Sequence, residues 1–281
     1  MSADGFRFPL DMEREIFETA AAVNPQTIPT LLRVCHRIHA WLEPLLYMVV
    51  IATKDDDPVF NAVRHKSPAF LQNAVRHVFL ASDAIEAATK HLLPNSSGIT
   101  SLFLDAEVDL SLFDVLANTR VRRLNLSVPP SPHDQWAQSI LKQPMFLSIS
   151  HLDLYKDNST HSNWDDWSLL ASLPALTHLC FSKTLSVLIL NNVLAECPRL
   201  RAVITAFWAE GEEDKALLFA GGLATNDPRA VVMAPSEYKE DWERGIRGGE
   251  DFWVRAEIFV AKKRAREIQK DQYFLPDSLL C

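Results

Sequence analysis

Val75-Arg76-His77-Val78-Phe79-Leu80-Ala81 is a phrase to which this chain keeps returning. It comes back as Ile99-Thr100-Ser101-Leu102-Phe103-Leu104-Asp105, Val121-Arg122-Arg123-Leu124-Asn125-Leu126-Ser127 and Ile149-Ser150-His151-Leu152-Asp153-Leu154-Tyr155. Two further copies read Leu176-Thr177-His178-Leu179-Cys180-Phe181-Ser182 and Leu200-Arg201-Ala202-Val203-Ile204-Thr205-Ala206. Starts at 75, 99, 121, 149, 176 and 200 give steps of 24, 22, 28, 27 and 24 residues, with apolar residues recurring at phrase positions 1, 4 and 6. Each unit reads as one strand plus a return segment that cannot bury its apolar face alone, so neighbouring units must stack. A stacked array presents a surface. The chain therefore reads as a binding module, with no catalysis of its own.

A period and phrase of this kind are the signature of leucine-rich repeats. The expected class is α/β: a right-handed solenoid with a parallel sheet of seven or eight strands. Residues 47–52 (Tyr47-Met48-Val49-Val50-Ile51-Ala52) supply a leading strand and Arg229-Ala230-Val231-Val232-Met233-Ala234 a terminal one. Helices are expected over 59–73 and in the return segments 84–93, 110–118, 134–141, 164–173, 185–196 and 214–223. The segments 129–132 and 157–163 read as exposed loops that lengthen two of the steps. Gly221-Gly222 reads as a helix end, 210–214 as a solvated acidic loop and 245–249 as a turn. A helix over 250–269, burying Phe252, Trp253, Ala256, Phe259 and Val260, would cap the end of the array.

The first fifty residues do not follow the repeat. Met12, Ile16, Phe17 and Ala20 fall at helical spacing, and Asn24-Pro25 ends that helix. Thr27 is placed to cap a second helix carrying Leu31, Leu32 and Val34. A third, over 36–47, carries Ile38, Trp41, Leu42, Leu45 and Leu46 inward and contains Pro44. The expected division is a helical bundle over 6–48, the repeat array over 49–249 and a capping helix with its tail over 250–281.

Bulk properties bound the function. A net charge of −8 argues against a nucleic-acid or acidic-membrane surface. The four cysteines, Cys35, Cys180, Cys197 and Cys281, form no Cys-x-x-Cys pair, which points to reduced thiols in the cytoplasm or nucleus. No signal peptide is read at the start of the sequence. The most apolar stretch, 42–52, contains Glu43 and Pro44 and is too short to span a bilayer.

The N-terminal bundle resembles an F-box. The matching wording is Phe8-Pro9-Leu10, Ile16-Phe17, Leu31-Leu32-Arg33-Val34-Cys35-His36-Arg37 and Trp41, with Phe8 in place of the usual leucine and His36 in place of a usual basic residue. The whole chain is similar to fungal F-box proteins with irregular leucine-rich repeats, on Trp41-Leu42-Glu43-Pro44-Leu45-Leu46-Tyr47, Val75-Arg76-His77-Val78 and Glu250-Asp251-Phe252-Trp253-Val254-Arg255-Ala256-Glu257. The resemblance implies a substrate-recognition subunit of an SCF-type ubiquitin ligase. Its F-box would dock an SKP-type adaptor, and through it a cullin scaffold, by Pro9, Leu10, Ile16, Leu31, Leu32, Val34, Cys35 and Trp41. The alternative is a non-catalytic scaffold with an F-box-like fold that does not bind the adaptor.

Strand positions 3, 5 and 7 should leave the apolar core for an open, concave face. Phe79, Phe103, Asn125, His151, Asp153 and His178 on that face are the expected contacts for an unidentified protein target, with the paired phenylalanines as its hot spot. His151, Asp153, His178 and Cys180 fall on neighbouring strands near enough to surround a metal ion. A mixed polar surface without metal is the plainer reading, since nothing enforces ligand geometry, and no cofactor is expected. A catalytic role for His178 with Cys180 or Asp153 lacks any accompanying nucleophile or phosphate motif. Trp164, Trp167, Trp208 and Trp242 are expected to plug the helical side of the array.

Overall fold

In the computed structural model, residues 8–107, 109–128, 136–156, 164–182, 186–209 and 211–276 are described. The loops expected over 129–132 and 157–163 lie outside these residues. Nine strands alternate with helices. They are β1 (Val49–Ala52), β2 (His77–Ala81), β3 (Ser101–Glu107), β4 (Arg123–Val128), β5 (His151–Lys156), β6 (His178–Ser182), β7 (Ala202–Ala206), β8 (Ala230–Met233) and β9 (Phe274–Leu275). They form one sheet in chain order, every neighbouring pair parallel. The protein is α/β. Its ninth strand exceeds the seven or eight expected.

The phrases are in register. Val78, Leu102, Leu124, Leu152, Leu179 and Val203 align across β2 to β7, and all are buried with the position-1 residues. Position 2 is the hinge of each unit. The Arg76 carbonyl accepts from the Thr100 and Ser101 N–H groups, that of Thr100 from Arg122 and Arg123, and that of Arg122 from Ser150 and His151. The Ser150 carbonyl then accepts from Thr177 and His178. Thr100, Ser150 and Thr177 add their hydroxyls to the preceding carbonyl at 3.1–3.2 Å. The chain entering β3 to β6 thus pairs these backbone groups where each strand begins.

Thirteen α-helices occur among the described residues. The first three are α1 (Leu10–Val23), α2 (Ile28–Leu31) and α3 (His36–Leu46). Their shared core is small: Ala21, Ile28, Ile38 and Leu42, flanked by half-buried Phe17, Leu31, Leu32, Trp41 and Leu45. Thr27 does not cap α2; its hydroxyl donates to the Asn24 carbonyl instead. Leu46, expected inside, is exposed.

The helix expected over 59–73 is two helices, α4 (Pro58–Arg64) and α5 (Pro68–Ala74). Proline at 68 forces Ser67 into an extended conformation, and the Ser67 hydroxyl caps α5 by accepting from the Phe70 N–H. The return helices follow as α6 (Ile85–His91), α7 (Ser111–Leu116), α8 (Trp136–Leu141), α9 (Trp164–Trp167), α10 (Val187–Glu196) and α11 (Glu213–Gly221). Apart from α8, whose expected first residues lie outside the described ones, they are shorter than expected, several giving way to 3₁₀ turns, and they cover the sheet face that carries positions 4 and 6. Glu43 pairs with Lys66 at 2.6 Å, and Lys66 lies over the Tyr47 and Phe70 rings, fastening α3 to the array.

The last two helices are α12 (Tyr238–Ile246), which the sequence did not suggest, and α13 (Phe252–Ala265). Phe252, Trp253, Ala256, Phe259 and Val260 are buried as expected, but not at the end of the array. They pack on Cys180, Ala202, Ile204, Val231 and Met233, which places α13 across the opposite face of the sheet. The end-cap expectation is corrected: the helix covers a face, because a parallel sheet of apolar strands must bury both. Asp251 holds the turn into α13 by accepting from the Val254 N–H at 3.0 Å and from Arg123 at 2.7 Å. Gly245 leaves it room, since a Cβ there would collide with the Asp251 carboxylate.

Thr205 is an exception within the position-6 row. It lies between Phe181 and Val232, buried, and its hydroxyl has no hydrogen-bond partner among the described residues. Replacing Thr205 by valine keeps the shape and removes the stranded hydroxyl. We expect the T205V variant to be more stable to urea by about 1 kcal/mol. A loss of stability would mean that the hydroxyl is satisfied in solution.

Candidate functional site

Two surfaces carry the residues singled out in the sequence. On the bundle, Pro9 turns the chain into α1 and Glu13 ties α1 to α3 through both oxygens on Arg37, at 2.6 and 2.7 Å. The Arg37 guanidinium in turn lies over the Trp41 ring, 5.5 Å from its centroid. Phe17 and Ala21 of α1 pack on the small core, which leaves Leu10, Met12 and Ile16 on its outward side. Leu10 is 57% exposed, Ile16 49% and Val34 56%. Pro9 and Cys35 are exposed as well, while Leu31, Leu32 and Trp41 are half-buried. Ile16 and Leu31 share an open groove with Met12 and Val23. An apolar patch of this kind, on a bundle with so little interior, is the mark of a surface that a partner covers.

The sheet surface is built differently. Phe79, Phe103, Asn125, Asp153 and Cys180 align side by side along position 5 of β2 to β6. The expectation that this row lies open to a partner is corrected. Phe79, Phe103, Asn125, Asp153, His178, Cys180 and Ile204 are all buried, and His151 is half-buried. Helices α12 and α13 occupy the place of the target. Phe79 stacks on Phe103 at 4.4 Å, and the pair meets Trp242 at 5.9 and 6.1 Å and Tyr238 at 4.6 Å. Trp208 and Trp242 therefore belong to this face, not to the helical side where Trp167 packs.

Asp153 is the centre of the polar part. One carboxylate oxygen accepts from Ser182 Oγ at 2.8 Å; the other accepts from Asn125 Nδ2 at 2.8 Å and from the Tyr238 hydroxyl at 2.9 Å. Asn125 Nδ2 also meets the Tyr238 hydroxyl. Burial raises the Asp153 pKa, and the hydrogen bonds from Ser182, Tyr238 and Asn125 oppose that shift. Burial pushes the Cys180 thiol and the Tyr238 phenol well up, and the neighbouring Asp153 adds to both. Cys180 is thereby held as a thiol.

The histidines stack instead of converging. The His151 and His178 rings are 4.1 Å apart and 6° from parallel, with the edge of Trp253 against both. His178 Nε2 turns to Glu257 at 2.9 Å, a carboxylate that also holds Arg201 at 2.9 Å. Stacked rings aim their nitrogens past one another, and Asp153 is already engaged. Among the described residues, no group of three or more His, Cys, Asp or Glu side chains is placed to hold a metal ion. The Cys180 sulfur lies 3.9 Å from Ser182 Oγ.

Tyr238 and Glu257, which were not among the sequence's candidates, complete this face with Trp242 and Trp253, expected on the helical side and in an end cap. The signal for Tyr238 was its spacing with Trp242 and Ile246 on one helical stripe, four residues apart. The chain matches no protein-family model and no curated protein. Among the described residues no helix is long and apolar enough to cross a membrane.

Burial makes the face sensitive to acid. It lowers the His77 pKa to about 4, aided by Arg123 and Arg76, and that of His151 to about 2, aided by His178 and Arg123. Both histidines take up protons near 6.5 when unfolded but stay neutral in the folded chain, so the unfolded state binds more protons below that pH. Stability should fall as pH drops from 6.5 toward 4. The slope, measured by urea unfolding, should flatten in His151→Gln; an unchanged slope would show that His151 titrates normally in the folded protein.

Proposed function

We propose that this protein is the substrate-recognition subunit of an SCF-type ubiquitin ligase, its N-terminal bundle docking an SKP-type adaptor. The observation that carries the reading is the outward apolar face of α1 to α3. Of the eight residues that the F-box resemblance assigns to adaptor contact, Pro9, Leu10, Ile16, Val34 and Cys35 are exposed, and Leu31, Leu32 and Trp41 are half-buried. Leu31, Leu32 and Trp41 pack in part on the bundle core, and the other five lie on its outer surface. Burying a large aliphatic side chain contributes roughly 1.5–3 kcal/mol, so covering several half-exposed ones gives a docking interface its driving force.

The array supports the second half of the reading. Sequential parallel strands with one return segment each are the architecture of a leucine-rich-repeat solenoid. Such a receptor acts by holding a target near a charged enzyme, raising effective concentration without bond chemistry of its own. Because α12 and α13 fill the face expected to take the target, recognition in this protein falls to the strand ends and to the outer sides of those two helices.

The test is capture of purified SKP-type adaptor by the full chain. The wild type should bind, and Leu10→Asp and Ile16→Asp should each weaken capture by about tenfold or more while the thermal midpoint stays unchanged. Both positions are exposed, so a folding defect is not expected. Failure of the folded wild type to bind would favour a scaffold that retains the bundle without the adaptor.

A further inference from the structure

At the C-terminal ends of β3, β4 and β5, a cleft of about 210 Å³ opens beside α12. Its walls are Tyr155, Trp208 and Tyr238, with Leu104 and Asn125 behind and Asp105 and Ser127 toward the strand ends. Three aromatic side chains here come from three separate places in the chain: β5, the turn after β7 and the start of α12.

Two of the rings are held rigidly. Trp208 Nε1 donates to Ser182 Oγ at 2.9 Å, and its ring meets Tyr238 at 4.2 Å and 74° and Phe252 at 5.2 Å and 87°. The Tyr238 hydroxyl is anchored on Asp153 below. The residue just before Tyr238, Glu237, has φ 57° and ψ 66°, a left-handed conformation that costs free energy in any residue but glycine. Backbone strain of this kind concentrates where a side chain must be delivered to one position.

The cleft is negative. Asp105 makes no hydrogen bond or ion pair among the described residues, and burial alone raises its pKa. Among the described residues no lysine or arginine lines the cleft. A neutral apolar ligand would desolvate the Asp105 carboxylate and offer it nothing. An anion would be repelled by it and by the negative faces of the rings. Among the described lining residues a metal ion would find one carboxylate and no second ligand of its kind. A cation with an apolar skin satisfies every wall, because ring faces attract positive charge without demanding hydrogen bonds.

We propose that this cleft binds an alkylammonium group, with the cation seated against Tyr155, Trp208 and Tyr238 and with Asp105 as its counter-charge. The group has two chemical sources, a free quaternary amine and the side chain of a methylated lysine. The site shares no residue with the adaptor face, so it stands or falls independently of the docking reading.

The full chain is titrated into choline, and the N-methyl proton signal is followed by NMR. The same titration is run with the neutral carbon isostere, in which a tert-butyl group replaces the trimethylammonium group. Peptides carrying trimethyllysine and unmodified lysine complete the set. Choline or the trimethyllysine peptide should bind about tenfold more tightly than its neutral or unmethylated counterpart. The tighter of the two identifies the source. Asp105→Asn, at an exposed position, should weaken binding by about tenfold with the thermal midpoint unchanged. Equal binding of the isostere, undiminished binding by Asp105→Asn, or no binding of either cation would overturn the proposal.

Discussion

The carboxylate of Asp153 lies in the middle of β5, out of contact with water, and a group of that kind is tolerated only when its lone pairs are met by donors. Here the donors come from β4 (Asn125), β6 (Ser182) and α12 (Tyr238), so one side chain joins three adjacent strands to a helix 85 residues further along. Ser182 passes the connection on to Trp208, and Tyr238 passes it on to the Phe79–Phe103 pair through Phe103. A hydrogen bond to a charged group contributes roughly 1.5–3 kcal/mol, and stranding the partner costs as much again. Fixing Tyr238 therefore fixes the register of α12 on the sheet.

The need for that cover follows from the sheet itself. Nine parallel strands expose two faces, and the repeat supplies helices for only one. At β6 to β8 the other face is apolar, with Ile204, Val231 and Met233 meeting Phe252, Phe259 and Val260. From β3 to β6 it is mixed, and the covering helices answer in kind, with Tyr238 for Asp153, Glu257 for His178 and Asp251 for Arg123. Polar groups give this interface its alignment while the aromatic rings supply its burial. At the far edge Lys263, fully buried, donates to the Ala230 carbonyl and lies 4.7 Å from the Phe259 and Tyr273 rings, fastening α13 beside β8. Burial lowers its pKa to about 8, with Asp227 and Asp271 opposing the shift.

The strands were legible because their signal is local and periodic: positions 1, 4 and 6 repeat six times, and each copy centres on a strand. Bundle helices α1 and α3 were legible for the same reason. What failed was the destination of the other face. Asn125, His151, Asp153 and His178 are polar, and polar residues alternating with leucine read as a solvent face; their partners lie 113, 102, 85 and 79 residues away, which no local pattern reports. The two-residue β9 carries no periodicity at all. Helix α12 had a readable stripe in Tyr238, Trp242 and Ile246, masked by the charged residues between them.

The chain covers its own sheet, and Cys180 reports on that cover directly. It occupies position 5 of β6, fully buried under α13, whereas Cys35 on the bundle is exposed. Peptide-resolved alkylation of the native protein at neutral pH measures both thiols in one sample. Modification of Cys180 should be slower than that of Cys35 by roughly 100-fold or more, as expected for a group released only by local opening. Equal rates at the two cysteines would mean that the sheet face is open and the account is wrong.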